Sequence, residues 1–330
     1  MATISSTAAT LSAEMQRYYD KVFLERLQNF QKYNFLAVQK SLPKNSGQII
    51  YFTRVAQLTA NTTALTDGTS PTGINSTSSN VIATAKPYGA WEQIASLYEM
   101  TTIDNGLKEH VEVMAQNAGE SMDLVLGKEM CTSGNHTILC ANSAQVSAIA
   151  STDTMSVSGI RLAVATLKKN LAPKWENGNY RGVLNVDAIY QLQGDTAAGN
   201  WINIGLYNSE KNAEMLKKGV VGTLYGVDIV ETNQAFSGSQ GAAHETPGTV
   251  SASSRLSFFA GKGAVAEVKI SGLGDARIIH KKSDSSDTSN PLEMYSTLGW
   301  KVDAYAAKVL NANWLVGYYS FGSGTANSGT

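Results

Sequence analysis

Apolar side chains recur at helical spacing from Ala13 to Val38, through Met15, Tyr19, Val22, Phe23, Leu27, Phe30 and Tyr33. With Ser12 placed to cap and Glu14 in the first turn, the pattern predicts an amphipathic helix near the N-terminus. Six aromatics fall between Tyr18 and Phe35, and the segment ends at the turn-forming run Pro43 to Gly47. Such a face packs either on its own core or on a neighbouring subunit. Next, Gln48 to Leu58 is rich in β-branched and aromatic residues, and Val81 to Ile94 is a second strand-prone run interrupted by Pro87. The twenty-two residues between them, Thr59 to Asn80, are small and polar, with Leu65 and Ile74 the only large apolar side chains. The pair predicts a long protruding hairpin, its tip too poor in apolar area to order on its own and best ordered against a partner.

A second long helix is predicted from Leu107, Val111, Met114, Ala118, Met122 and Val125, which form one stripe, with Thr102 or Asp104 as cap. A Ser-, Thr- and Asn-rich connection from Cys131 to Thr154 leads to a helix from about Val157 to Lys169, barred from continuing by Pro173. From Arg181 to Val268 short strands alternate with short helices. These are GVLNV, a helix capped by Asp187, a helix from Ser209 to Lys218 closed by Gly219, and the strands TLYGVDIVET and RLSFFA. Ala235 to Ser254 is a polar, Gly-rich loop. The strand-prone runs DARIIHKK, EMYSTLGWKVDAYAAKVLN and WLVGYYSF follow, and a flexible tail runs from Gly322 to Thr330. These late strands must return to a core begun much earlier.

Composition changes the picture chiefly through charge. Only 16% of the 330 residues are charged, and roughly 60 serines and threonines take up the polar surface. Twenty-six basic residues against 27 acidic ones leave a net charge of -1, and the basic residues cluster only as the doublets Lys168-Lys169, Lys217-Lys218 and Lys281-Lys282. A sequence-wide grip on nucleic acid is excluded, because phosphate neutralisation needs clustered Lys and Arg. Cys131, His136 and Cys140 supply three potential ligands where a structural zinc site needs four, so the thiols read as reduced and inert. No stretch approaches the eighteen apolar residues of a membrane span, and the first residues lack a signal-peptide pattern. A cytoplasm-like compartment is expected, in which the N-x-[ST] strings at Asn61, Asn75 and Asn135 carry no meaning.

Catalytic and cofactor patterns are missing from the sequence. Gly261-Lys262-Gly263 lacks the first Gly and the hydroxyl of a phosphate loop, and Gly272-Leu273-Gly274 is half of a dinucleotide fingerprint leading into a strand. Asp284, Asp287 and Asn290 lack calcium-loop spacing, and His110, His136, His244 and His280 fall on separate elements. Neither an enzyme nor a cofactor or metal site is predicted.

The order of parts resembles the tailed-bacteriophage major capsid protein fold, an α+β architecture. The run STLGWKVDAYAAKVLNANWLVGYYSF, Ser296 to Phe321, is similar to the closing strands of one capsid-protein family in that fold. KYNFLAVQKSLPKNSGQIIYFTRV, Lys32 to Val55, looks like its arm-to-hairpin junction, and GVVGTLYGVDIVET, Gly219 to Thr232, like a strand pair of its axial domain. The resemblance implies an N-terminal helical arm at 1–46, an extended loop built as a long β-hairpin at 47–94, and a peripheral domain with a spine helix at 95–153. It further implies an axial domain at 154–269, return strands of the peripheral domain at 270–321, and the tail at 322–330. The implied function is a structural subunit that assembles as hexamers and pentamers into an icosahedral shell around double-stranded DNA. The implied partners are many copies of the chain, a separate scaffolding protein, a portal, a decoration protein, and packaged DNA held by weak non-specific contact, with no membrane. An encapsulin-like shell around a cargo enzyme shares the fold and is the alternative. Phe23, Phe30, Tyr51, Phe52 and Trp91 are the expected intersubunit anchors, as large aromatics on the outreaching elements. Near-neutral charge suits such a shell, since it limits repulsion between packed copies.

Overall fold

A computed structural model describes residues 13–43, 47–55, 58, 60–70, 73–101, 106–132, 134–142, 146–194, 222–234, 236, 254–270, 276–282 and 292–322. The expected helix Ser209 to Lys218, the caps Ser12, Thr102 and Asp104, the run Asp284 to Asn290, His244, nearly all of the Ala235 to Ser254 loop and the tail beyond Gly322 lie outside these residues.

The described residues begin with helix α1 (Ala13–Phe30), a 3-10 turn (Tyr33–Leu36) and strand β1 (Ala37–Leu42). Strands β2 (Ile49–Val55), β3 (Ser78–Thr84) and β4 (Lys86–Ala95) follow, then helices α2 (Ser96–Thr101) and α3 (Gly106–Cys131). Strand β5 (Thr137–Cys140) leads to α4 (Val157–Lys169), β6 (Tyr180–Asn185) and α5 (Val186–Gly194). The remaining strands are β7 (Thr223–Leu224), β8 (Val227–Thr232), β9 (Ser254–Ala260), β10 (Val265–Ile270), β11 (Arg277–Lys281), β12 (Tyr295–Val309) and β13 (Leu315–Phe321).

Two mixed sheets carry the molecule. In the first, the long strand β12 pairs with β4 along one edge, while β10 and β11 follow one another along the other edge, and β1 joins β10 in parallel. One face of this sheet presents Ile94, Ile278, Leu298, Trp300, Val302 and Tyr305 to α3, whose stripe Val111, Met114, Ala118 and Met122 also receives Tyr19, Phe23 and Leu27 of α1. Gly119 makes the helix crossing close: a Cβ there would stand 2.8 Å from the Leu27 carbonyl oxygen. The Trp300 indole donates to Asn117 Oδ1 at 2.9 Å and Lys308 pairs with Glu129, which fixes α3 on the sheet.

The second sheet has the order β5-β13-β9-β6-β8-β7. Helices α4 and α5 bury Ile160, Leu167, Ala188 and Leu192 against one face, packed on Leu184, Phe259 and Tyr318. Ser156 caps α4 by accepting from the Gly159 N–H, as its position before an apolar period requires. Tyr225 and Gly226, both at positive φ, turn β7 into β8.

Several expectations are corrected. The N-terminal helix stops at Phe30 rather than Val38, because residues 33–36 tighten into the 3-10 turn and 37–42 are drawn into pairing with β10. The second strand-prone run is two strands in different sheets: β3 pairs with β2, and β4 leaves across Ala85 to pair with β12. Asn185, not Asp187, caps α5, with Oδ1 accepting from Ala188 N. Residues 265–270 pair in the β12 sheet, whereas 315–321 sit between β9 and β5 in the other. Strand β13 is apolar on both faces, which suits a covered strand inside a sheet.

Candidate assembly surfaces

The hairpin β2–β3 has two unlike faces. Alternation puts Ile50, Phe52, Val81 and Ala83 on one of them, where they pack on Ala266, Val268, Ala304 and Ala306 of the β12 sheet. The Lys40 ammonium lies 5.1 Å from the Phe52 ring centre and the Arg54 guanidinium 5.9 Å from that of Trp314, so the root of the hairpin is stitched to the body. On the other face, Tyr51 stands opposite Ile82 with Ile49 and Val55 beside them, and all four are exposed. Beyond the root, every described residue from 58 to 80 is exposed, Leu58, Leu65 and Ile74 included.

A second apolar surface lies on the side of the β12 sheet turned away from α3. Register places Trp91 of β4, Gly299 of β12 and Ile279 of β11 in one row, with Gly89 and Lys301 in the next. Lacking a side chain, Gly299 leaves a trough between the two apolar walls, and a Cβ there would meet the Ala90 carbonyl oxygen and Trp91 Cβ at 2.9 Å each. The resulting cleft of about 550 Å³ is floored by glycine backbone and walled by Trp91, Tyr295 and Ile279. Lys301 and Lys281 stand at its rim, and Lys301 bonds Asp303 at 2.7 Å. That hydrogen bond, with Arg277 on the other oxygen, holds the Asp303 carboxyl below the usual carboxylate range.

The predicted anchors divide by burial. Phe23 is fully buried in the α1–α3 core, at 0% exposure, and Phe52 is 7% exposed against the body, so both are corrected to intrachain packing residues. Phe30 is half-buried at the end of α1, with the Arg26 guanidinium 6.0 Å from its ring centre. Tyr51 at 61% and Trp91 at 64% face solvent on the hairpin and the cleft respectively. Ile49, Val55, Ile82 and Ile279 complete these two surfaces and were missed by singling out aromatics. Their signal was in the sequence nonetheless: Ile49 to Phe52 is apolar at successive positions, which gives a strand two apolar faces.

Among the described residues the chemistry-bearing side chains form no centre. His136 donates through Nδ1 to the Met130 carbonyl at 2.9 Å and lies edge-on to Phe258. Cys131 and Cys140 share no disulfide, and burial pushes the Cys131 thiol upward. Among the described residues no three His, Cys, Asp or Glu side chains gather as metal ligands, and no helix is long and apolar enough to cross a membrane.

No family model matches the chain, and no curated protein matches it in sequence. Solved structures do match. The chain is similar to the capsid of Ralstonia phage GP4, at 13% identity and a TM-score of 0.64, with 89% of each chain covered. It is similar to the capsid of cyanophage P-SCSP1u at 15% identity and a TM-score of 0.61, again over 89% of each. Similarity to the capsid asymmetric unit of cyanophage Pam1 covers 99% of both chains at 14% identity and a TM-score of 0.59. The fold is thus the α+β fold of tailed-phage major capsid proteins.

Proposed function

We propose that this chain is the major capsid protein of a tailed phage, a structural rather than catalytic subunit whose copies tile an icosahedral shell around double-stranded DNA. The observation that carries the reading is the uncovered apolar face of the hairpin, Ile49, Tyr51, Val55 and Ile82, on a fold whose similar structures are phage capsids. Leaving that face in water forgoes on the order of 25 cal/mol per Å². A neighbouring copy laid over it recovers that energy, and the cleft at Trp91 offers a second such contact. Tyr51 and Trp91 are the anchors of this reading, with Phe30 at the arm's end.

The β12 sheet with α1 and α3 takes the role of the peripheral domain and the β9 sheet with α4 and α5 that of the axial domain, gathered about the axes of hexamers and pentamers. Residues 265–270 then belong to the first and 315–321 to the second. Scaffold, portal, decoration protein and weakly held DNA are the partners such a shell employs, and assembly takes place in the host cytoplasm. The similar structures are phage capsids, which favours this reading over an encapsulin-like compartment.

Electron microscopy of the chain expressed with its scaffold tests the reading. Closed shells are expected, with nuclease-resistant DNA inside native particles. Replacing residues 56–77 by an Asn-Gly turn should leave a folded chain that no longer closes shells. Normal, stable particles from that replacement would refute the role given to the hairpin.

A further inference from the structure

The joint between α1 and β1 brings the arm, α3 and both sheets together. Gln31 donates to Met122 Sδ of α3, the Tyr33 hydroxyl donates to the Gln234 carbonyl, and Arg181 of β6 donates to the Phe35 carbonyl at 2.8 Å. The Arg181 guanidinium is itself sandwiched between the rings of Phe35 and Trp175, 4.5 Å and 3.7 Å from their centres. At the middle of this joint stands a carboxylic acid. Asp123 projects from α3, is buried, and accepts the Tyr33 N–H on Oδ1 at 2.7 Å. Its other oxygen, Oδ2, is equally buried and has no hydrogen-bond partner among the described residues.

An aspartate in mid-helix has poor propensity and, buried without a cation at contact, is costly when charged. The groups around Asp123 offset only part of that cost. From the joint come Lys32 and the Tyr33 phenol, from β12 the Tyr305 phenol, and from β10 Glu267, which faces Tyr305 and pairs through Oε1 with Lys269 at 3.2 Å. Glu267 also buries an oxygen, Oε2, without a partner among the described residues. The field at Tyr305 is therefore negative from two sides, and its phenol is held well above its ordinary value by burial first, then by Glu267 and Asp123.

We propose that Asp123 is a proton-operated latch for the arm: with the carboxyl protonated the joint at residues 31–36 closes on α3, and with it ionised the joint loosens. Burial raises the Asp123 carboxyl to about 7, against the pull of the Tyr33, Lys32 and Asn34 N–H groups and the Lys32 charge. The sign follows from linkage. The closed joint holds its proton more tightly than an aspartate in water, so closure is fully favoured in acid and loses that advantage as pH climbs to about 7. Opening the latch would release residues 31–36 from α3 and from β6, while α1 itself stays packed on α3 through Tyr19, Phe23 and Leu27.

The latch is a property of the single chain and stands or falls apart from the shell reading. Backbone hydrogen exchange at residues 32–36 of the purified full-length chain, corrected for the intrinsic pH dependence of exchange, measures the opening. Protection should fall on the order of tenfold or more between about pH 5 and about pH 7 and then level off, while β9 amides stay constant. In Asp123→Asn it should be flat over the same range. Constant protection in the native chain, or the same fall in Asp123→Asn, overturns the proposal. Should the variant not fold, the carboxyl carbon shift of Asp123 in the native chain decides: a midpoint near neutrality supports the latch, and one at about 4 overturns it.

Discussion

The arm helix and the hairpin look alike in sequence, both rich in apolar contact area and set outside the obvious core, yet the fold treats them oppositely. Helix α1 has one apolar stripe, and α3 offers one to match: Tyr19, Phe23 and Leu27 disappear against Val111, Met114, Ala118 and Met122, with Gly119 letting the backbones close. The hairpin has two apolar faces and the body can cover only one. Phe52 and Ala83 are covered, and Tyr51 and Ile82 are left out. The number of apolar faces, rather than the amount of apolar area, decides which element remains available to a neighbour.

Mutations can break this contrast or sharpen it. The largest effect on folding is expected from Phe23→Ala, which opens a cavity in the α1–α3 core and should cost about 3–5 kcal/mol in urea unfolding of the unassembled chain. A loss below about 1 kcal/mol would mean that the helix is not part of the core. Gly119→Ala forces a methyl group onto the Leu27 carbonyl and should cost about 1–3 kcal/mol, read as a lower thermal midpoint. Substitution of Tyr51 or Trp91 by Ala should change the stability of the unassembled chain by no more than about 0.5 kcal/mol. Both should still lower shell yield, measured by sedimentation, because an exposed aromatic acquires its energy only when a partner covers it. If Tyr51→Ala unfolds the chain while Phe23→Ala leaves it intact, the assignment of the two limbs is reversed.

Periodicity carried much of the fold. Helix α4 spans Val157–Lys169, as its stripe, its dipole-suited lysines and Pro173 imply, and α3 begins and ends within a few residues of its apolar repeat. The late strands do return to the early core, β12 against β4 and α3, and β13 against β5. What misled was always a long-range competitor. Residues 33–38 continue a helical repeat, but Asp123, some ninety residues away, takes the Tyr33 N–H, and β10 captures the backbone after it. Pro87 does not interrupt the run but lies inside β4, at the register shift opposite Val302 and Tyr305, and the break falls at Ala85, where the chain changes sheet. Of the aromatics proposed as anchors, sequence offered no means of separating Phe52 from Tyr51. Adjacent strand residues point to opposite faces, and which face meets the body depends on where β10 and β12 lie.

The sequence by itself determined the type and order of most of the described elements, the low charge, the lack of catalytic patterns and a hairpin tip poor in apolar side chains, because each follows from local spacing and composition. Only the tertiary structure decided which apolar face is spent inside the chain and which is left for a neighbour. It also decided that a lone aspartate on α3 lies buried at the arm's joint. Burial is a property of partners distant in sequence, and a residue's spacing says that it has a face without saying what the face will meet.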